Sequence, residues 1–397
     1  MSSIQSHCLR QPSRNFAGKL FIIALLTLTP VGSAFAQAHP PTRFTVSGEP
    51  QQIGEAIGKQ YKSVIQNFRT QFIKLAESST GKSKAMLAAT ANRLAKHMDA
   101  DDIAEIRGLA RGAGTSYEDM LTFNLFYALV VNRIACRQLA VWGPATSDGK
   151  LVHGRNLDWF DYPGNPMIKH NLILNIKPTT GIEYVLLTWP AQQGVLTGSN
   201  RAGITVAFNQ LRRGKDQRRA AEPIFFSLKR VLRKCYTVEQ AVTLIKRANP
   251  VGNGSIMISD ARQRKAIVME LFDGSIGTRD GNGGMIGNAN HATRAAGLRN
   301  VPYVGSADAP TDRLARSLGV KLNADLVQGV MAHPSVCQLI NMQSVVVVPQ
   351  DNVMYFACGA KPAAQKAPFR RYKLFEDFKR LAVRPNQARK KQPALSE

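Results

Sequence analysis

From about Gln51 to Val131 apolar residues recur every three to four positions, as in Ile53, Ile57, Tyr61, Val64, Ile65 and Phe68, which is the period of an amphipathic helix. The stretch predicts about three helices. Asp102 with Glu105 and Thr115 with Glu118 have capping-box spacing, and Gly112-Ala113-Gly114 separates the two segments they open. At Cys136 the period changes to two. Strand-like runs follow at Gln138–Trp142, Leu151–Arg155, Leu172–Ile176, Tyr184–Trp189 and Ile204–Phe208, and Asp148-Gly149 between the first two predicts a hairpin. Helical patterns occupy Ile224–Lys234 and Val238–Ala248. Strands resume at Ile256–Ser259, Ala266–Leu271, Val345–Val348 and Val353–Ala357. This order of helices, strands, helices and strands argues for an α+β fold with mainly antiparallel sheets and segregated helices, not for alternating βαβ units. No internal repeat is visible.

The N-terminus changes this picture. Arg10, Arg14 and Lys19 precede the apolar run Leu20–Leu26, which is short for a membrane span and is followed by Pro30, Gly32 and the small-x-small motif Ala34-Phe35-Ala36. Residues 1–36 read as a signal peptide, so the chain is expected to be exported, most simply to a periplasm, and not to be an integral membrane protein. A formal charge of +25 then points to anionic cell-surface polymers or lipids as partners. Nucleic acid is set aside, because export removes that partner and no zinc-finger or RNP-type motif is present. The basic stretch Arg212–Arg219 and the tail 381–397 read as solvated segments. Beyond the leader there are four cysteines, Cys136, Cys235, Cys337 and Cys358, without CxxC or zinc spacing. No metal or cofactor is expected.

The segment richest in chemistry runs from Cys136 through Asp148-Gly149 to Gly154-Arg155-Asn156-Leu157-Asp158-Trp159. A thiol heads one strand, and antiparallel pairing carries Arg155 and Asp158 back beside it. An arginine near a cysteine favours the thiolate, its reactive form. An aspartate there can orient a neighbouring amine.

This segment resembles the N-terminal-nucleophile hydrolases related to isopenicillin N acyltransferase, with bile salt hydrolase, acid ceramidase and N-acylethanolamine amidase as more distant relatives. Gly198-Ser199-Asn200-Arg201-Ala202-Gly203-Ile204 leading to Phe208-Asn209 is similar to their Gly-x-Asn-x-x-Gly strand. Asn290-His291 resembles their Thr-Asn-His turn, with Ala289 in place of the threonine, and Ser344–Val348 with Met354–Phe356 resembles their closing strand pair. The resemblance implies a four-layer α-β-β-α sandwich in which residues 37–135 form a helical segment and residues 136–380 the catalytic part of one domain.

It further implies cleavage between Ala135 and Cys136, which frees an α-amine to act as base beside the Cys136 thiol. Arg155 would support the thiolate, Asp158 would bond the new amine, and Asn209 and Asn290 would stabilise an oxyanion on a linear N-acyl amide substrate. Arg137, Trp142, Trp159 and Phe160 are candidates for the substrate pocket. A further functional arginine is sought among Arg294, Arg313 and Arg316. With Cys136 assigned to catalysis, at most one disulfide remains for a monomer, and Cys337–Cys358 is the pair expected. Other readings stay open: an acyltransferase using an amine acceptor, a papain-like protease built on Cys136 and His291, and a non-catalytic cationic periplasmic binding protein.

Overall fold

The computed structural model describes residues 38–130, 135–159, 165–211, 221–293, 297–298, 304–305, 309–378 and 381. The expected signal peptide, Phe160, the Arg212–Arg219 stretch, Arg294 and nearly all of the basic tail therefore lie outside the described residues.

Strand β1 (Thr42–Gly48) leads into five helices where the periodicity predicted about three: α1 (Pro50–Gln60), α2 (Lys62–Thr80), α3 (Lys84–Ala95), α4 (Ala100–Ala113) and α5 (Tyr117–Val130). The extra breaks have local causes. Gly81 ends α2 in the left-handed conformation at φ 66°, and the Ser83 hydroxyl accepts from the Met86 N–H to open α3. The capping assignments shift as well. Asp99 caps α4, so Asp102 and Glu105 fall inside the helix, where they are buried. Ser116, not Thr115, caps α5 by accepting from the Asp119 N–H.

Helices α1 and α4 pack backbone to backbone. A Cβ added to Gly54 would stand 1.9 Å from the Glu105 carbonyl oxygen, and one on Gly108 2.1 Å from that of Gln51. Only glycine permits this approach.

Two sheets follow. The larger has eight strands in the order β1, β4 (Leu172–Pro178), β5 (Tyr184–Thr188), β6 (Thr197–Asn200), β7 (Ile204–Gln210), β8 (Gly254–Asp260), β9 (Lys265–Phe272) and β10 (Ser275–Asp280). The smaller has six, in the order β11 (Met285–Asn288), β2 (Ala135–Val141), β3 (Val152–Asp158), β14 (Asn341–Val348), β15 (Val353–Cys358) and β16 (Arg370–Lys373). Among the described residues of these two sheets, β1 and β4 pair in parallel and the other neighbours pair antiparallel. The short strands β12 (Ala292–Thr293) and β13 (Val304–Gly305) form a separate parallel pair.

Alternation along the strands builds the layers. On β7, Ile204, Val206 and Phe208 join one core with α6 (Ile224–Lys234) and α7 (Val238–Ala248). On β14, Val345 and Val347 meet Ile173, Val185 and Leu187 of the larger sheet, while Val346 and Val348 pack on Val327, Val330 and Met331 of α9 (Ala324–Ala332), beside α8 (Pro310–Ser317). The result is helices, sheet, sheet, helices, the α+β four-layer arrangement that the resemblance implied. Burial on both faces explains why Val345–Val348 reads as a continuous apolar run.

The β2–β3 connection is longer than the Asp148-Gly149 pair suggested. It runs from Trp142 to Leu151, with a 3-10 turn at Gly143–Ala145; Gly149 takes φ 71°, and the Asp148 carboxylate accepts from the Lys150 N–H at 3.0 Å. No helix among the described residues is long and apolar enough to cross a membrane.

Candidate active site

Antiparallel register on β2 and β3 sets Cys136 opposite Leu157, Ala135 opposite Asp158 and Gln138 opposite Arg155. The head of β2 and the end of β3 therefore meet at one edge of the inter-sheet space. Cys136 is fully buried, and burial pushes its thiol above the ordinary range. The Arg155 charge and a hydrogen bond from Arg155 oppose that rise, as does a bond from the Asp158 N–H, while the Asp158 carboxylate adds to it. Arg155 is itself buried and fixed, donating to the Thr197 hydroxyl at 2.9 Å, to the Asn156 carbonyl and to the Phe208 carbonyl at 2.8 Å. Three acceptors on two sheets hold its charge beside the sulfur.

Asp158 accepts from the Asn341 amide at 2.9 Å through Oδ1, whereas its buried Oδ2 has no hydrogen-bond partner among the described residues. Burial pushes this carboxyl up to about 7, against the Asn341 bond and the charges of Arg155 and Arg137. Asn290 lies close to the cysteine: its Oδ1 accepts from the Cys136 N–H at 2.5 Å and its Nδ2 donates to the Gln210 carbonyl at 2.7 Å. Asn209 presents the opposite face. Its Oδ1 accepts from Gln138 at 2.5 Å, and its buried Nδ2 has no partner among the described residues.

The pocket candidates separate. Arg137 donates to the Cys136 carbonyl at 2.8 Å and to Asn290 Oδ1 at 3.1 Å, so it braces the cysteine segment. Trp159 is buried with its ring 6.5 Å from that of Trp189. Trp142 is a correction: it stands just past the far end of β2, roughly 20 Å from Cys136 at about 3.4 Å per residue, packed near Ala140, Met257 and Val268. Arg313 and Arg316 are exposed on α8, and Arg316 donates to the Asn282 carbonyl at 3.1 Å. The expected Cys337–Cys358 disulfide is also corrected, since all four cysteines are free and buried; the Cys337 sulfur faces the Gln338 carbonyl and the Cys358 sulfur that of His39.

Several residues that sequence reasoning passed over complete the site. Gln138 shares the inward face with Cys136, and strand alternation from the cysteine could have found it. Glu270 had no local signal: its buried carboxylate accepts from the Thr293 N–H at 2.7 Å, the Thr293 hydroxyl at 2.9 Å and Arg279 at 3.1 Å, fixing the turn that carries Asn290. His153, bonded to the Ser259 hydroxyl at 2.9 Å, is pushed down to about 3 by burial and the Arg155 charge, and is neutral. Among the described residues no group of His, Cys, Asp or Glu is placed to hold a metal ion.

Residues 145–308 match the family model described as acyl-coenzyme A:6-aminopenicillanic acid acyl-transferase. The match contains Arg155, Asp158, Asn209 and Asn290 and begins after Cys136. Protein dcd1A of Dictyostelium discoideum is 26% identical over 168 residues, 40% of this chain and 37% of that protein. The N-acylethanolamine-hydrolyzing acid amidase of Caenorhabditis elegans is 21% identical over 194 residues, 45% of this chain and 53% of that one. The chain thus spans about half or less of the length of these curated relatives. Among solved structures, a C. elegans ortholog of that amidase superposes with a TM-score of 0.44 at 18% identity, covering 60% of this chain and 100% of its own. Penicillin V acylase from Agrobacterium tumefaciens gives 0.39 at 15%, covering 56% and 83%. As its motifs indicated, this chain resembles the acyl-coenzyme A:6-aminopenicillanic acid acyl-transferase family over residues 145–308.

Proposed function

We propose that this protein is an exported, self-processing amidohydrolase that cleaves a linear N-acyl amide with the thiol of Cys136. One observation carries the reading. The main-chain nitrogen of Cys136 is held 2.5 Å from Asn290 Oδ1, and the residue paired with Ala135 is Asp158, whose Oδ2 is buried without a partner among the described residues. Asn290 Oδ1 thus already accepts from the nitrogen that becomes an α-amine when the Ala135–Cys136 bond breaks, and Asp158 is the strand partner of the residue on the other side of that bond.

In the first stage Cys136 Sγ attacks the Ala135 carbonyl, the C–N bond breaks as the nitrogen takes a proton, and water hydrolyses the thioester. The products are the Ala135 carboxylate, a free thiol and the α-amine. An α-amine has a reference pKa of about 7.7–8.0, close to that needed of a base at neutral pH. In turnover it takes the thiol proton, the thiolate adds to the substrate carbonyl, and the proton passes to the leaving amine; water then resolves the acyl-enzyme. Arg155 supports the sulfur's negative charge.

The two asparagines divide the labour differently from the sequence expectation. Asn290 donates one N–H to Gln210 and accepts from the Cys136 N–H at its oxygen, which suits it to hold the amine. Asn209, with a buried amide donor to spare, serves the oxyanion. The acyl-transferase activity for which the matched family is named favours one second reading, in which an amine acceptor replaces water at the acyl-enzyme. Adding 6-aminopenicillanic acid as acceptor to a turnover assay and weighing the products, free acid against the new amide, separates the two.

The test is Cys136→Ala, read by intact mass and by a panel of fluorogenic N-acyl amides. It should remain one uncut chain and lose turnover. Amide turnover by that variant at the wild-type rate would exclude Cys136 as nucleophile.

A further inference from the structure

Two residues beyond Cys136, on the same inward face of β2, stands Gln138, fully buried. Its main chain is anchored from the other side, where its carbonyl accepts from the Thr311 hydroxyl at 2.9 Å. Its side chain crosses to the larger sheet and donates through Nε2 to Asn209 Oδ1 at 2.5 Å. A primary amide carries an acceptor on one side and two donors on the other, and a half-turn of its plane exchanges them with almost no change of shape. Packing alone therefore leaves the direction of the Asn209 amide undetermined. The two amides orient each other: with Gln138 Nε2 donating to Oδ1, Asn209 Nδ2 turns the opposite way, and that Nδ2, like Gln138 Oε1, is buried without a partner among the described residues.

We propose that Gln138 is a positioning residue, acting through Asn209: its N–H holds the Asn209 carbonyl so that the Asn209 N–H pair faces the space where the reacting amide's oxyanion forms. This rests on the function proposed above. It assigns no contact between Gln138 and substrate. The benefit falls on the transition state, because a donor already aimed at a developing charge needs no reorganisation when the charge appears. Loss of Gln138 should therefore lower kcat while leaving KM nearly unchanged.

A double-mutant cycle on the full chain tests it, with an N-acyl-aminocoumarin as probe and intact mass to normalise for processed protein. Gln138→Leu removes both polar groups at similar volume. Gln138→Glu keeps the shape but, when ionised, offers only acceptors, so it draws Nδ2 to itself and turns Oδ1 toward the oxyanion. Asn209→Ala should lower kcat by about 10²–10³, the usual cost of one such donor. Each Gln138 variant should lower kcat at least tenfold with KM within about twofold, and adding either to Asn209→Ala should change nothing further. A Gln138 effect that multiplies with that of Asn209→Ala overturns the proposal, as does full kcat in both Gln138 variants. Should Gln138→Leu not fold, the isosteric Gln138→Glu carries the cycle alone. Inactive Cys136→Ala with fully active Asn209→Ala would refute the oxyanion role and this proposal together, yet leave the nucleophile standing; active Cys136→Ala would remove the functional reading itself.

Discussion

At the scale of single residues the site is a set of buried polar atoms whose partners come from both sheets. Cys136, Arg155 and Asp158 were legible because they lie on adjacent strands of one local pair, and strand register is a short-range property. Asn341, Thr197 and Glu270 were not, because each reaches the site by tertiary pairing with no spacing signal in the chain. Asp158 has a measurable consequence. Its folded pKa, about 7, stands above the ordinary carboxylate value of 3.8, first because of burial. Between those values the native state binds the extra proton, so this group lowers stability as pH rises from about 4 to about 7 and adds no further slope above. In an uncut Cys136→Ala background, the stability advantage of Asp158→Asn over Asp158 should grow across that window and then level off. Urea midpoints at pH 4, 5.5, 7 and 8 check it; an advantage constant with pH would mean that Asp158 is already ionised at acid pH.

Between elements, the joint of α4 with α6 is ionic. Lys229 on α6 is buried with its Nζ 3.3 Å from Asp102 and 2.8 Å from Glu105 on α4. The spacing of these two acids fits a capping box, but Asp99 caps the helix and both carboxylates turn inward to the distant Lys229. Burial pushes both carboxyls above their usual range, with the Lys229 charge opposing. Lys229→Met strands both, and breaking a buried pair in this way costs about 3–5 kcal/mol. Equilibrium unfolding should show that loss at pH 7 and a smaller one near pH 4, where the acids take protons. A loss under about 1 kcal/mol at pH 7 would mean that water reaches the cluster.

Across the whole molecule, the bond proposed to break joins two parts that are thoroughly interleaved. β1 pairs with β4 along its full length, and Ile53, Ile57, Phe68 and Phe72 share a core with Leu174, Leu186 and Phe226. Cleavage at Ala135–Cys136 should therefore leave both pieces in one folded particle. Size-exclusion chromatography should show a single species, and denaturing electrophoresis two chains, the larger beginning at Cys136. Separation of the pieces without denaturant would contradict the shared core. The export expected from residues 1–36 remains part of the proposal, and periplasmic fractionation checks it.

The sequence by itself determined the class of fold, the strand–turn–strand frame of the cysteine segment and most strand positions, because these follow from period and from neighbours in the chain. It left open β1, β6, β10, β11, β12, β13 and β16 and the helices α8 and α9, whose short or half-exposed runs carry weak patterns. Only the tertiary structure decided which asparagine holds the Cys136 nitrogen and which keeps a donor to spare, that Trp142 stands away from the thiol, and that Asp102 and Glu105 meet Lys229. Those outcomes depend on which groups share a buried space, and a hydrogen bond across two packed sheets leaves no periodic mark on the sequence.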